Sequence, residues 1–213
     1  MIFQLIQQFI DDDPAWGGYI EFLAAYLLGS VPFAMVSSRI FGLADPRSYG
    51  SGNPGATNVL RSGNKKAALV TLIGDALKGW AAVYVARQLG FSDTVLGLVA
   101  LAVFFGHLFP VFLKFKGGKG VATAAGVLLA LDPLLGLAVA GTWLFTAFAF
   151  RYSSLAAILA AALAPVYSLL MHGANAQIIF IGILAMALIG KHWQNLQRLM
   201  AGQEARIGSK KKG

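Results

Sequence analysis

Cysteine is absent from the 213 residues, which removes a disulfide framework, a thiolate metal site and a cysteine nucleophile together. Charge is scarce as well. Asp, Glu, Lys and Arg make up 12% of the chain against 57% hydrophobic residues, whereas a soluble domain carries about 25% charged residues, so a water-soluble globule is excluded. No carboxylate cluster, HExxH helix or histidine pair at ligand spacing occurs, and the sequence therefore implies neither a metal site nor a cofactor. A basic region ahead of the first apolar stretch is missing too. Asp11, Asp12 and Asp13 stand there instead, which argues against a cleavable signal peptide. Residues 1–18 read as an acidic extension, 19–208 as one membrane domain without repeats, and 209–213 as a basic tail able to lie against anionic lipid.

What the chain does have is long apolar runs. A crossing helix needs about 20 mostly apolar residues to span about 30 Å of hydrocarbon. Runs at 20–42, 67–89, 94–113, 118–131, 134–150, 153–171 and 175–191 meet or approach that need, so the expected fold is all-α, a polytopic integral membrane helical bundle. The count turns on Asp132-Pro133, because 121–150 taken as one helix would be about 45 Å long. Charge decides it. Seven spans put Arg39, Arg47, Arg61, Lys65, Lys66, Lys114, Lys116, Lys119, Arg151 and the six basic residues from Lys191 onward on one side, leaving Arg87 outside. Six spans would move that last group across together, against the bias of Lys and Arg toward the cytoplasm. The expectation is seven spans, N-terminus outside and C-terminus cytoplasmic. The net charge of +8 then reflects membrane topology, and no nucleic-acid partner is implied.

Three polar segments fall on the cytoplasmic side. The first is Tyr49–Asn64, whose glycines permit close backbone approach while Ser51, Thr57, Asn58 and Arg61 offer donors to an anion; a tight loop built on Gly, Asn and Pro fits the composition equally. The second, Lys114-Phe115-Lys116-Gly117-Gly118-Lys119-Gly120-Val121-Ala122-Thr123, sets a flexible basic loop directly before a helix. Free N–H groups and the positive end of the helix dipole suit phosphate there. It is not a Walker A loop, because Gly120 stands where Ser or Thr would follow, and an anchoring role would explain its lysines though not its three glycines. The third, Lys191–Leu199 with Glu204 downstream, puts His192, Asn195 and Leu199 on one face of a continuing helix, with Lys191 and Trp193 as interfacial anchors. Inside the bilayer, Asp75 and Lys78 lie one turn apart. They either neutralise each other or floor the site. His107 reads as a hydrogen-bonded bundle residue and Arg151 as a boundary marker.

Together, Gly50–Ser62, Lys116–Thr123 and Lys191–Leu199 with Glu204 resemble the three cytoplasmic motifs of the acyl-phosphate-dependent glycerol-3-phosphate acyltransferases, the PlsY family, over residues 20–208. The resemblance implies transfer of a fatty acyl group from acyl phosphate to the sn-1 hydroxyl of glycerol 3-phosphate. Lysophosphatidic acid and inorganic phosphate would be released, at the cytoplasmic face of a bacterial inner membrane, by a monomer whose other partners are membrane lipids. By the same resemblance, Lys119 with Gly117, Gly118, Gly120 and Thr57 cradles the donor phosphate. Ser51, Arg61, His192 and Asn195 hold glycerol 3-phosphate, Asn53 and Asn58 shape or line the pocket, Thr123 of the second motif joins the substrate-binding set, and Ser51, Arg61, Lys119 and His192 are the catalytic residues. The HxxxxD signature of soluble and peripheral glycerolipid acyltransferases is missing, since Phe112, Gln177 and Gln197 follow the three histidines at that spacing. The alternative class is a small transporter or lipid-handling protein in which Asp75 and Lys78 form the ion element.

Overall fold

The computed structural model describes residues 14–208; the acidic extension up to residue 13 and the basic tail from 209 lie outside them. Among the described residues all regular structure is helical. The chain forms two compact units that meet at Asp132-Pro133 in the sequence. The first contains α1 (Pro14–Ser30), α2 (Phe33–Ile40), α3 (Ala56–Leu60), α4 (Lys65–Gln88), α5 (Asp93–Leu108), a 3₁₀ turn at Val111–Leu113 and α6 (Val121–Leu131). The second contains α7 (Pro133–Phe150), α8 (Ser153–His172), α9 (Ala176–Lys191) and α10 (Trp193–Met200).

The polarity of these helices is inverted relative to a soluble protein. Leu72, Ile73 and Leu77 on α4 are exposed, and Phe148 on α7 and Leu170 on α8 are 88% and 77% exposed, while Asp75 and Lys78 are buried at 3%. Apolar side chains outward and charges inward is the arrangement a lipid solvent requires. Among the described residues, helices α4, α5 with its 3₁₀ turn, α7 and α8 are each long and apolar enough to cross a membrane, and the bent pairs α1–α2 and α9–α10 raise the number to as many as six.

Two expected spans take a different form. The run at 20–42 is broken between α1 and α2 with a bend of 42°, where Pro32 has no N–H to continue the ladder. The run at 118–131 is helical only from Val121 to Leu131, 11 residues, which is about 16 Å of helix and half the hydrocarbon depth. The break at Asp132 is real: this residue is extended (φ −152°, ψ 118°), and Pro133 opens α7, a position where a missing N–H costs nothing.

Small residues set the packing of the first unit. A Cβ on Gly29 would strike the Val103 carbonyl, and one on Gly106 the Tyr26 carbonyl, so α1 and α5 cross backbone to backbone. Gly79 meets Thr123 and Gly126 meets Ala76 in the same way where α4 and α6 cross. Arg87, near the end of α4, donates to the Leu131 carbonyl at 2.6 Å, which caps α6 and shows that the two helices run in the same direction. Consequently α6 begins abreast of Asp75, about 15 Å of helix beyond Lys65. The glycine-rich loop ahead of it therefore descends well below the start of α4.

Candidate active site

The first polar segment is a folded loop stapled by one side chain. Asn58, 2% exposed, accepts from the Ser51 backbone N–H at 2.9 Å and donates from Nδ2 to the carbonyls of Pro46 at 2.6 Å and Tyr49 at 3.2 Å. Gly50 has φ +62°, and a Cβ there would run into Asn58 and press on the Arg61 side chain, so glycine is required on both counts. Asn58 thus shapes the loop, while Ser51, Thr57 and Arg61 remain exposed around it and Asn53 is half-buried. The loop closes into α4 through Asn64, whose side chain accepts from the Ala67 N–H at 2.9 Å as the N-cap.

The second loop is seated on the end of α5. The Gly118 N–H donates to the His107 carbonyl at 3.1 Å. A Cβ on Gly117 would meet the His107 carbonyl and Pro110, one on Gly118 the His107 ring, and Gly120, at φ +83°, sits against Phe104 and Leu108. These glycines are demanded by the close seating of the loop, which is a packing reason that composition does not reveal. Thr123 is fully buried below the loop, its Oγ1 3.2 Å from His107 Nδ1.

Under this loop lies an ion cluster. Lys78 Nζ is 2.9 Å from Asp75 Oδ1, which is also 3.4 Å from His107 Nδ1. Lys78 additionally donates to the Val31 carbonyl at 2.8 Å, a group exposed by the break between α1 and α2. Asp75, Lys78 and His107 line a cleft with Pro54 of the first segment and Gly117 and Gly118 of the second, and its interior of about 10 Å³ has the room of one water. The pair is therefore more than self-neutralising. Beneath the loop, Ala76, Leu77 and Trp80 of α4 and Gly126 and Leu129 of α6 line an apolar groove of about 270 Å³. Among the described residues no three His, Cys, Asp or Glu side chains gather as metal ligands.

The third segment belongs to the second unit. The helix does not continue straight: α9 and α10 meet at a bend of 59°, with His192 at the corner, 4% exposed. Its Nδ1 is 2.9 Å from the Leu188 carbonyl. A carbonyl can only accept, so Nδ1 carries the proton and satisfies a helix-end carbonyl that would otherwise lack a partner. In the neutral form of His192 with this tautomer, Nε2 is the acceptor nitrogen. Asn195 donates from Nδ2 to Glu204 Oε1 at 2.6 Å, Ser154 donates to the same oxygen at 2.7 Å, and Arg198 Nε reaches Oε2 at 2.8 Å. Trp193 is 57% exposed, as an interfacial anchor should be.

Glu204 is the centre of a clamp that extends past the motif. Arg151 adopts a left-handed backbone (φ 63°) and exchanges two hydrogen bonds with Ile207, its carbonyl accepting from the Ile207 N–H at 2.6 Å and its guanidinium donating to the Ile207 carbonyl at 3.0 Å. Arg206 lies over the Tyr152 ring at 5.5 Å. Arg151 therefore does more than mark a boundary. Burial alone would raise the Glu204 carboxyl, but the hydrogen bonds from Asn195, Ser154 and Arg198, with the Arg198 charge, bring it below the usual range. A depressed carboxyl adds stability that is full above its unfolded pKa, about 4.3, and is lost as pH falls through the lower folded value. Glu204→Gln should lower stability by about 1–3 kcal/mol near neutrality and flatten the acid limb of the stability curve, read by thermal unfolding in detergent from pH 7 to 3. An unchanged acid limb would assign that limb to other carboxyls. Ser154 and Arg198 were not legible as partners, though Glu204 is the sole carboxylate after Asp132 and so an obvious centre for nearby donors.

Residues 19–202 match the family model for glycerol-3-phosphate acyltransferase. The chain is 81% identical over 193 residues to a glycerol-3-phosphate acyltransferase of Dechloromonas aromatica, covering 91% of this chain and 98% of the relative. It is 62% identical over 194 residues to one of Cupriavidus taiwanensis, covering 89% and 96%. Its fold matches the crystal structure of PlsY (YgiH), an integral membrane glycerol 3-phosphate acyltransferase, in its glycerol 3-phosphate form, with a TM-score of 0.85 at 38% identity over 90% of this chain and 96% of that one. The lysophosphatidic acid form of that enzyme matches with a TM-score of 0.83 at 36% identity over 90% and 95% of the two chains.

Proposed function

Because this chain belongs to the glycerol-3-phosphate acyltransferase family, we propose that it takes its acyl group from acyl phosphate and delivers it to the sn-1 hydroxyl of glycerol 3-phosphate. The products are lysophosphatidic acid and inorganic phosphate, at an early step of bacterial phospholipid synthesis. The observation that carries the donor assignment is the second loop. Its lysine, between Gly118 and Gly120, stands two residues before the start of a half-length helix, next to Gly117 and Gly118, which line a water-poor cleft; N–H groups and a cation together suit a phosphate dianion there. Acyl-CoA and acyl carrier protein present thioesters, which place no terminal phosphate on the reacting carbonyl.

In this reading Lys119, Gly117, Gly118, Gly120 and Thr57 hold the donor phosphate, and Thr123 supports the loop from below. By family resemblance Ser51, Arg61, His192 and Asn195 bind glycerol 3-phosphate, with Asn53 and Asn58 shaping the first segment. The acyl chain follows the apolar groove lined by α4 and α6. The oxygen at C1 of glycerol 3-phosphate attacks the acyl carbon, the bond from that carbon to the phosphate oxygen breaks, and the departing phosphate accepts the hydroxyl proton. A mixed anhydride has a good leaving group, so positioning and charge neutralisation supply most of the acceleration. No covalent acyl-enzyme is required. Ser51, on an exposed stretch of loop, has no base assigned to activate it, which argues against its acting as a nucleophile.

The topology we propose has seven crossings, counting α6 as the fourth, with the N-terminus outside, the three motifs facing the cytoplasm and a functional monomer in the inner membrane. Arg87 on the far side of α4 and the basic residues of all three motifs on the other side support it. Purified protein given palmitoyl phosphate and glycerol 3-phosphate should release one phosphate per lysophosphatidic acid formed, whereas palmitoyl-CoA and palmitoyl carrier protein should give no product. Equal rates from a thioester would overturn the donor assignment.

A further inference from the structure

The mechanism above leaves a buried polar group without a task. Asp75, Lys78 and His107 are 3%, 3% and 7% exposed, in a part of the molecule where ionisable side chains are costly to keep. Two of their contacts are architectural, since Lys78 pairs with Asp75 and closes the Val31 carbonyl at the break between α1 and α2. His107 is different, because besides Asp75 it meets the second loop and the helix behind it. Its carbonyl accepts from the Gly118 N–H at 3.1 Å. Its ring lies so close to Gly118 that no Cβ could be accommodated there. Its Nδ1 stands 3.2 Å from the hydroxyl of Thr123, in the first turn of α6, and 3.4 Å from Asp75 Oδ1.

His107 thus grips the chain immediately before Lys119 and again four residues after it. We propose that His107, oriented by Asp75, is a positioning residue for acyl transfer: it fixes the height and direction of Lys119 over the cleft and so sets the affinity of the site for the donor phosphate. This inference rests on the reading of Lys119 as a donor-phosphate ligand. A backbone loop at this depth has few ways to be held, because water is scarce and each unpaired polar group is penalised. Simple space filling would not explain the arrangement, since an apolar side chain of the same size would leave both Thr123 and Asp75 short of a partner.

The test compares His107→Ala, His107→Asn, Lys119→Ala and the double variant His107→Ala/Lys119→Ala, all as full chains purified in detergent, with KM measured separately for palmitoyl phosphate and glycerol 3-phosphate. Asn can return an amide nitrogen near the position of Nδ1. The expected result is that His107→Ala raises the donor KM about tenfold or more while the glycerol 3-phosphate KM stays within about twofold, and that His107→Asn recovers most of the difference. Acting only through Lys119, the His107 change should add almost nothing in the double variant beyond Lys119→Ala alone. Equal increases in both KM values, or full additivity in the double variant, would overturn the proposal. Should His107→Ala fail to insert, His107→Asn compared with His107→Leu carries the same contrast in KM. If Lys119→Ala itself left the donor KM unchanged, the donor-phosphate reading would fall, an outcome distinct from a normal donor KM in the His107 variants alone.

Discussion

Lys119→Ala is expected to lower kcat/KM for acyl phosphate by about 100- to 1000-fold, or about 3–4 kcal/mol of transition-state stabilisation, with the protein still inserted and folded. As the acyl carbon is attacked in the proposed reaction, charge builds on the oxygen that joins it to phosphorus, and an ammonium next to Gly117 and Gly118, which line a cleft with room for one water, opposes that charge. Lys119 is half-buried between two buried glycines, so neither adjacent residue has a side chain to take its place. Lys119→Arg should recover little, because a planar guanidinium is wider than the ammonium and the loop has no slack for it. Initial-rate kinetics with palmitoyl phosphate check this. Retained activity at normal donor affinity would sink the assignment of the loop.

His192→Ala is expected to raise KM for glycerol 3-phosphate by about 10- to 100-fold, the loss of one strong hydrogen bond to a ligand, while kcat falls by less than about tenfold. The hydrogen bond to the Leu188 carbonyl fixes the tautomer, so Nε2 can accept from a substrate hydroxyl without becoming the final home of the proton. The rival role is testable in the same experiment. If His192 were the general base, kcat would fall by several orders of magnitude, and the pH profile of kcat would lose a limb near the histidine pKa.

The class of the protein is legible in its sequence because lipid imposes a strong rule. Seven apolar runs and a one-sided distribution of Lys and Arg survive any detail of packing, and six of those runs correspond to helices or bent pairs that begin and end within a few residues of the expected positions. The shortened α6 was not legible. Its sequence is apolar from Val121 on, and the reason it starts late is that Gly117, Gly118 and Gly120 are used to lie against His107, Pro110 and Phe104, a demand set by another helix. The same holds for the bend at His192, where nothing in Lys191-His192-Trp193 breaks a helix by itself. Among the site residues, Asn58 reads from its residue type as an anion donor and only through the resemblance as a shaping residue; its bonds to Ser51, Pro46 and Tyr49 depend on a loop path that composition does not specify. His107 could be seen only as a bundle residue, since its partners Asp75 and Thr123 are 32 and 16 positions away and no periodicity links them.

The late start of α6 also bears on a side reaction. Water is itself a nucleophile toward a mixed anhydride, and it outnumbers glycerol 3-phosphate everywhere in the cell. If the donor lies as proposed, with its carbonyl abreast of Asp75, about 15 Å of helix beyond the start of α4, and its chain along α4 and α6, it is withdrawn from that competitor until an acceptor hydroxyl arrives. On that reading the half-length helix would bear on fidelity: on how many activated acyl groups become lipid and how many are wasted as free fatty acid.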